Sequence, residues 1–302
     1  MAEQCDASAE GRAAIIPATM AAATPDIDPA SLRAQVESLH WHHRIDLGHG
    51  VVSPGRAHHF TELEATLPPL DGRSVLDIGA WDGYYSFLAE RRGAKRVVAL
   101  DHYVWGVDLA ARNLYWEECS RQGVLPDHSL DETRFWRDDL PGQRSFQLAR
   151  SVLRSRVEDV VADFMTCDLA SLGQFDVVLH LGVLYHIPEP LTALRRLRAV
   201  TREVAVIETE GVHVPGYAGN ALLRFFPGDD LAGDYGNWFA TSEAGLHGMC
   251  RAAGFRHVET TVGPPVSPQP ASAAMRLART ARRRLSPTEP VSRYRLVVHA
   301  HV

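Results

Sequence analysis

The strand–turn–helix stretch VLDIGAWDGYYSFLAERRGAKRVVALD, residues 75–101, constrains the fold of this 302-residue chain more than any other feature. A short apolar run, Ser74–Ile78, carries Asp77 and stops at the turn Gly79-Ala80-Trp81-Asp82-Gly83. Helical spacing follows from Tyr84 to Arg92, with Gly93 as its stop. A second strand, Arg96–Leu100, ends in Asp101. A tight glycine turn between strand and helix lets backbone N–H groups approach a ligand closely. An acid about twenty residues further on suits a ribose diol, because a carboxylate accepts from both hydroxyls. A dinucleotide would need a further glycine where the chain has Ser86, so its pyrophosphate would meet a side chain. That spacing disfavours a dehydrogenase.

Strands and helices keep alternating downstream, which predicts a parallel sheet covered on both faces, an α/β fold. Val157–Phe164, Phe175–Leu181 and Glu203–Glu208 read as strands three to five, Pro190–Val200 and Ser242–Ala253 as helices. Ser292–Val302 is a β-rich ending with Tyr294, Leu296 and Val298 on one face, predicted to return beside strand six as a hairpin. Residues 1–30 read as a disordered tail rather than a signal peptide, since Glu3, Asp6 and Glu10 stand where a basic start is needed. Residues 31–302 read as one domain. Within it, 31–70 form a helical lid, 103–150 an aromatic-rich insertion over the cofactor site, and 263–290 a basic insertion with a helix at Met275–Leu285.

A net charge of −6 gives no global pull toward nucleic acid. Apolar runs fall short of the roughly 18 residues of a membrane span. Cys5, Cys119, Cys167 and Cys250 lie far apart, which suits a reducing cytoplasm. A homodimer is compatible with this composition.

The cofactor turn and the later stretch FDVVLHLGVLYHIPEPLTALRRLRAVTREVAVIETE together resemble the family of the tRNA wobble-uridine carboxymethyltransferase and its small-molecule relatives. WHHRIDLGHGVVSP upstream and NWFATSEAGLHGMCRAAGFRHVE downstream fit as well, so the resemblance covers about residues 40–262, with LGVLYH its most distinctive block. It implies a Rossmann-like class I methyltransferase, a seven-stranded mostly parallel sheet of order 3-2-1-4-5-7-6, and S-adenosylmethionine as cofactor. Carried over by residue, Asp77, Gly79, Ala80 and Gly83 would cradle the methionine part, and Asp101, with His102 beside it, would hold the ribose. Asp163 and Phe164 would flank adenine, and Leu181 and Gly182 through Tyr185 would form the floor under the sulfonium. Trp81 departs from the usual middle glycine, so its side chain must point away from the cofactor or shape its pocket. Carboxymethyl-transferring members use a lysine before the first strand, whereas Lys95, the sole lysine, comes after it. Tyr185 matches a carboxylate-contacting tyrosine of that subgroup, and Arg56 is the candidate to replace the lysine. Ordinary S-adenosylmethionine is therefore the expected donor.

Methyl transfer needs alignment of acceptor, methyl and sulfur, and a proton sink when the acceptor is a hydroxyl. His186 follows the fourth strand at the ligand-binding sheet edge and is either a base or a cap on the turn before Pro188. Glu208 and Glu210 share a strand face, with His213 close behind. With His186 they would serve the acceptor or a magnesium ion; pairing of Glu208 with an arginine or a helix start is favoured over the metal, but Glu208 itself is expected, like His186, to face the transferable methyl. Trp41, His43 and Arg56 upstream, and Tyr103, Trp105 and Trp238 downstream, are the substrate-contact candidates; Trp116, Trp136, Phe225 and Phe226 join the last three as walls of an aromatic acceptor pocket, with core packing as the plain alternative for each aromatic. Arg276, Arg279, Arg282, Arg283 and Arg284 form either a solvated helix face or a clamp for a phosphorylated or RNA acceptor. The expected reaction is O-methylation of a small metabolite, a sugar or secondary-metabolite hydroxyl. A carbon or nitrogen acceptor, including an isoprenoid diphosphate, a tRNA wobble base, and a non-catalytic binding protein stand as alternatives.

Overall fold

The computed structural model describes residues 27–56, 60–217, 219–264 and 291–302. The basic helix expected at 275–285 and its arginines lie outside them, as does most of the N-terminal tail.

Strand β1 (Ser74–Ile78) is buried along its whole length and pairs in parallel with β2 (Arg96–Asp101) on one side and β4 (Phe175–Leu181) on the other. Parallel pairing continues outward to β3 (Glu158–Val161) and to β5 (Thr201–His213). Beyond β5, β9 (Ser292–His301) runs antiparallel to it over ten residue pairs, and β8 (His257–Val262) runs antiparallel to β9. Counting the two last long strands as six and seven, this is the expected order 3-2-1-4-5-7-6. Two short strands are added, β6 (Leu223–Phe225) and β7 (Phe239–Thr241), attached to β5 at Gly211.

Alternation along each strand sends side chains to two faces. Val75, Val97, Ala99, Val177, Leu179, Val204 and Val206 fill one core with α3 (Tyr84–Arg91) and α6 (Arg144–Val152). Leu76, Ile78, Val98, Leu100, Val178, Ala205, Ile207, Leu296, Val298 and Ala300 fill the other with α7 (Pro190–Val200) and α8 (Glu243–Ala252). Both faces are covered, which is why the central strands read as nearly continuous apolar runs.

Two strands differ from the sequence reading for identifiable reasons. The third strand stops at Val161 rather than Phe164, because the Asp163 carboxylate takes the Met165 N–H (2.8 Å) and the Thr166 hydroxyl (2.7 Å) and folds the chain into a turn. The fifth runs on past Glu208 to His213, because β9 and β7 offer it ladder partners beyond the end of β4. Helix α8 begins as expected at Ser242, whose hydroxyl caps the Gly245 N–H.

Upstream of the sheet, Asp28 caps α1 (Pro29–Glu37), and the chain then runs as an irregular segment through residues 40–56. Ile45, Leu47 and Val51 anchor that segment in the first core. Between β2 and β3, α4 (Tyr103–Gly106) and α5 (Leu109–Gln122) occupy the insertion beside the cofactor edge.

Candidate active site

The C-terminal ends of β1, β2, β4 and β5 converge where the turn 79–83 leaves β1. Gly79 (φ +77°) has no room for a side chain, since a Cβ there would lie 2.4 Å from Val183 Cγ2. Gly83 (φ +84°) starts α3 with its face pressed on Phe146 and Phe87, where a Cβ would come within 2.6 Å of both rings. Left-handed backbone and close approach together make both positions glycine.

Trp81 holds the same left-handed backbone (φ +51°) without being glycine, at a cost of roughly 1–3 kcal/mol. Three contacts offset that cost. Its N–H donates to Asp101 (2.9 Å), its carbonyl accepts from Trp105 Nε1 (2.6 Å), and its indole stacks on His42 at 4.1 Å and 14°. Burial holds the His42 ring down at a pKa of about 3, so the stack is between neutral rings. The Trp81 side chain thus turns toward residues 40–42. Trp105 is fully buried beneath the turn and supports it from inside, so it is core rather than pocket lining.

Two buried carboxylates hold this arrangement. Asp82 is fully buried and accepts the backbone N–H groups of His42 (2.8 Å) and His43 (2.7 Å) and the His43 ring at Nδ1 (2.5 Å). Burial alone would raise its pKa, but the His43 ring and these N–H donors outweigh it and hold the carboxyl below its ordinary range. Asp101 accepts from Trp81, His102 (2.7 Å) and Val104 (3.2 Å), while burial pushes its carboxyl up to about 6. The Trp105 backbone N–H is a fourth donor, so the carboxylate is held firmly at the end of β2 beside the turn. Asp77 is likewise raised to about 6 by burial and accepts the Ser86 hydroxyl at 2.6 Å. The serine that breaks a dinucleotide fingerprint is therefore the partner of the buried acid on β1.

Next to Asp101, a cavity of about 250 Å³ is lined by His102, Glu132, Trp136, Asp163 and Thr166, with His102 stacked on Trp136 at 4.4 Å. A water takes about 30 Å³, so this space admits a fused aromatic ring. Phe164 is buried just behind, its carbonyl accepting from Arg196 (2.7 Å). Ala80 is buried in the first core, with Leu181 packed against that core.

The LGVLYH block crosses the turn at Val183 and carries Tyr185 and His186 onward. Segment 236–238 is fastened to it twice, since Trp238 N–H donates to the Tyr185 carbonyl (2.9 Å) and His186 Nδ1 donates to the Gly236 carbonyl (3.0 Å). The ring bridges to a residue fifty positions away and does not cap the turn before Pro188. Because a carbonyl can only accept, Nδ1 carries the proton and Nε2 keeps the lone pair. The ring touches solvent, yet enough protein surrounds it that desolvation lowers its pKa and keeps it neutral near pH 7.

Beyond Gly236 stands Trp116 of α5, then an aromatic chain of Tyr235, His128, Trp238 and Phe225. Arg112 lies over Trp116 at 3.8 Å and donates to the Tyr103 hydroxyl, which donates to Asp131 (2.7 Å). Trp116 Nε1 and Asp131 Oδ1 are buried without a hydrogen-bond partner among the described residues. Trp116, Phe225 and Trp238 are among the aromatics that the sequence offers for an acceptor pocket, whereas His128, Asp131 and Arg112 have no signal beyond the density of aromatics and charges in 103–150.

Several candidates fall elsewhere. Glu208 and Glu210 both bind Arg295 of β9, Glu210 at 2.8 Å, so Glu208, expected to face the transferable methyl, is engaged at both carboxylate oxygens by an arginine. Arg295 also lies 5.1 Å from the centre of the Tyr185 ring. Trp41 is core, its Nε1 bonded to the Val36 carbonyl (2.9 Å), and not a lid over the sulfonium. His43 is consumed by Asp82. Arg56 is exposed, with its backbone N–H on the His42 carbonyl (2.9 Å). His213 ends β5 opposite Ser292, and among the described residues no hydrogen bond or ring contact joins it to His186.

The sheet order and a glycine turn backed by buried acids define a class I, S-adenosylmethionine-dependent methyltransferase. Over residues 54–260 the sequence matches the family described as "Methyltransferase domain", more than half of the chain, and the chain belongs to that family. It is 27% identical over 207 residues to a tRNA U34 carboxymethyltransferase of Methylococcus capsulatus, covering 68% of this chain and 52% of that one. A protein of the same name from Chromohalobacter salexigens is 28% identical over 201 residues, covering 67% and 50%. The chain thus spans about half the length of these curated relatives. The N-terminal domain of EvdMO1, solved in the presence of SAH and D-fucose, shares the fold at a TM-score of 0.55 and 17% identity, covering 91% of this chain and 97% of that one.

Replacing Asp101 with alanine should weaken S-adenosylhomocysteine binding by about 1–3 kcal/mol in calorimetry and lower thermal stability, since the backbone N–H groups it holds lose their acceptor. In the wild type, affinity should be flat well above the carboxyl pKa of about 6 and fall as pH drops through it, because Asp77 and Asp101 take up protons there. Unchanged binding by folded Asp101→Ala would remove this residue from the cofactor site.

Proposed function

We propose that this chain transfers the methyl group of S-adenosylmethionine to a hydroxyl oxygen of a small metabolite, of the sugar or secondary-metabolite kind, with His186 as the base. One observation carries the reading. An aromatic cluster around Trp116 meets His186 at Gly236, and it includes a buried donor, Trp116 Nε1, and beside it a buried acceptor, Asp131 Oδ1, that lack partners among the described residues. Buried polar atoms are costly unless satisfied, and a hydroxyl-bearing acceptor would supply both bonds. Aromatic faces with a few convergent polar groups suit a sugar-like ring.

When bound, S-adenosylmethionine supplies a methyl carbon already activated by its sulfonium. Asp101 stands at the ribose, the cavity at His102 and Trp136 receives adenine, and the Gly79–Gly83 turn lies along the methionine part. Gly182 and Val183 cross the turn and set the distance between it and His186. The Trp116 cluster and its polar atoms orient the acceptor, and His186 Nε2 takes the hydroxyl proton while Gly236 fixes the ring through Nδ1. His186→Ala should lower the rate of product formation by about 100-fold or more while leaving cofactor affinity nearly unchanged. A loss of thermal stability with turnover per folded molecule intact would make His186 structural.

The names of the curated relatives, together with Tyr185 beside Arg295, raise a second reading with a carboxylated donor. Charge argues against it. Arg295 is already shared by Glu208 and Glu210, so this corner carries one net negative charge, which repels a further carboxylate and favours a cationic sulfonium. In competition calorimetry, S-adenosylmethionine should bind more tightly than carboxy-S-adenosylmethionine. The reverse order would establish the carboxymethyl reading, with Arg295 and Tyr185 in the role of the missing lysine.

A further inference from the structure

At the end of the sheet remote from the cofactor turn, the β8–β9 hairpin places His257, Glu259, His299 and His301 together. Register sets Glu259 opposite His299 and His257 opposite His301, and alternate residues of a strand share a face. Against β5, His299 and His301 lie level with Val206 and Val204, whereas Arg295 lies level with Glu210 at the cofactor edge. These histidines are therefore no part of the methyl-transfer site.

Glu259 Oε1 lies 3.4 Å from His301 Nε2 and 3.7 Å from His299 Nδ1. One ligand atom from each of the three residues lies within 4.8 Å of the others, and no other group of three or more such side chains meets that condition among the described residues. A tetrahedral ion with bonds of about 2.0–2.1 Å has ligand–ligand edges of about 3.3–3.4 Å. One edge already has that length and a second is within a few tenths of an ångström of it. His299 is buried, and the ring atom that it turns toward Glu259 is Nδ1. Glu259 is exposed and His301 half-buried, so an ion reaches the cluster directly from solvent.

We propose that Glu259, His299 and His301 bind a divalent transition-metal ion of the zinc type, with solvent in the remaining position. Two imidazoles and one carboxylate select such an ion over magnesium or calcium, which want oxygen ligands. The ion ties β9 to β8 at the end of the hairpin away from the 263–291 connection. Its effect is on stability, since whatever binds only the folded chain stabilises it by mass action.

The test uses the full chain, stripped with a chelator and titrated with zinc against a chromophoric chelator, with cobalt(II) as a spectroscopic substitute. One zinc per chain, an intense visible cobalt band of tetrahedral type and a zinc-dependent rise in melting temperature are expected. His301→Ala and Glu259→Gln alter exposed or half-exposed side chains, and retained S-adenosylhomocysteine binding confirms that the variants fold. Each should weaken zinc binding by about tenfold or more and abolish the rise in melting temperature. Absence of saturable binding by the wild type, or zinc affinity and melting shift preserved in both variants, would overturn the proposal.

Discussion

A single fully buried carboxylate, Asp82, joins the two parts of the chain that frame the cofactor edge. It belongs to the turn after β1, yet its three hydrogen bonds go to residues 42 and 43, about forty positions earlier. Bonds to a charged acceptor contribute roughly 1.5–3 kcal/mol each. Together they outweigh the strain of roughly 1–3 kcal/mol in the left-handed Trp81 next door. This balance explains why the turn tolerates a tryptophan where a glycine is usual. With residues 42 and 43 fixed by Asp82, His42 lies ready to stack on the indole, and the residue that strains the turn is held in place by that stack.

The remaining site geometry follows from that frame. Asp101 bonds the first residues after β2 to the turn, and Gly79 admits Val183 so closely that the LGVLYH block has one position available to it. His186 is thereby delivered to Gly236, and Trp116 closes on the same glycine from α5. Catalysis by alignment needs this kind of determinacy, because misplacement by about an ångström costs orders of magnitude in rate. Electrostatics add a second filter. The Arg295 corner has one cation for two carboxylates, and its net charge suits a positively charged donor.

Local features were legible in the sequence, and long-range pairings were not. Strands β1, β2 and β4, helix α7 and the glycine turn follow from periodicity and breakers within a few residues of each position. Trp41 and Trp105 looked like pocket walls, but an indole fills a core or lines a pocket with the same local pattern, and only packing separates the two. Arg295 could not be assigned to Glu208 because 87 residues and an antiparallel register lie between them. Trp116 and Asp131 sit in an insertion without strong periodicity, so their convergence depends on how α5 packs. Ser86 was read correctly as an obstacle to a dinucleotide, while its bond to Asp77 appears only in three dimensions.

Whether the methyl group reaches a small molecule is the centre of this account, and isotopic tracing decides it directly. Purified protein is incubated with methyl-deuterated S-adenosylmethionine and a cell extract separated into small-molecule and tRNA fractions, each then analysed by mass spectrometry. The account predicts enzyme-dependent deuteromethyl label on a hydroxyl-bearing compound in the small-molecule fraction and none above background in tRNA. Label confined to the tRNA fraction would contradict it.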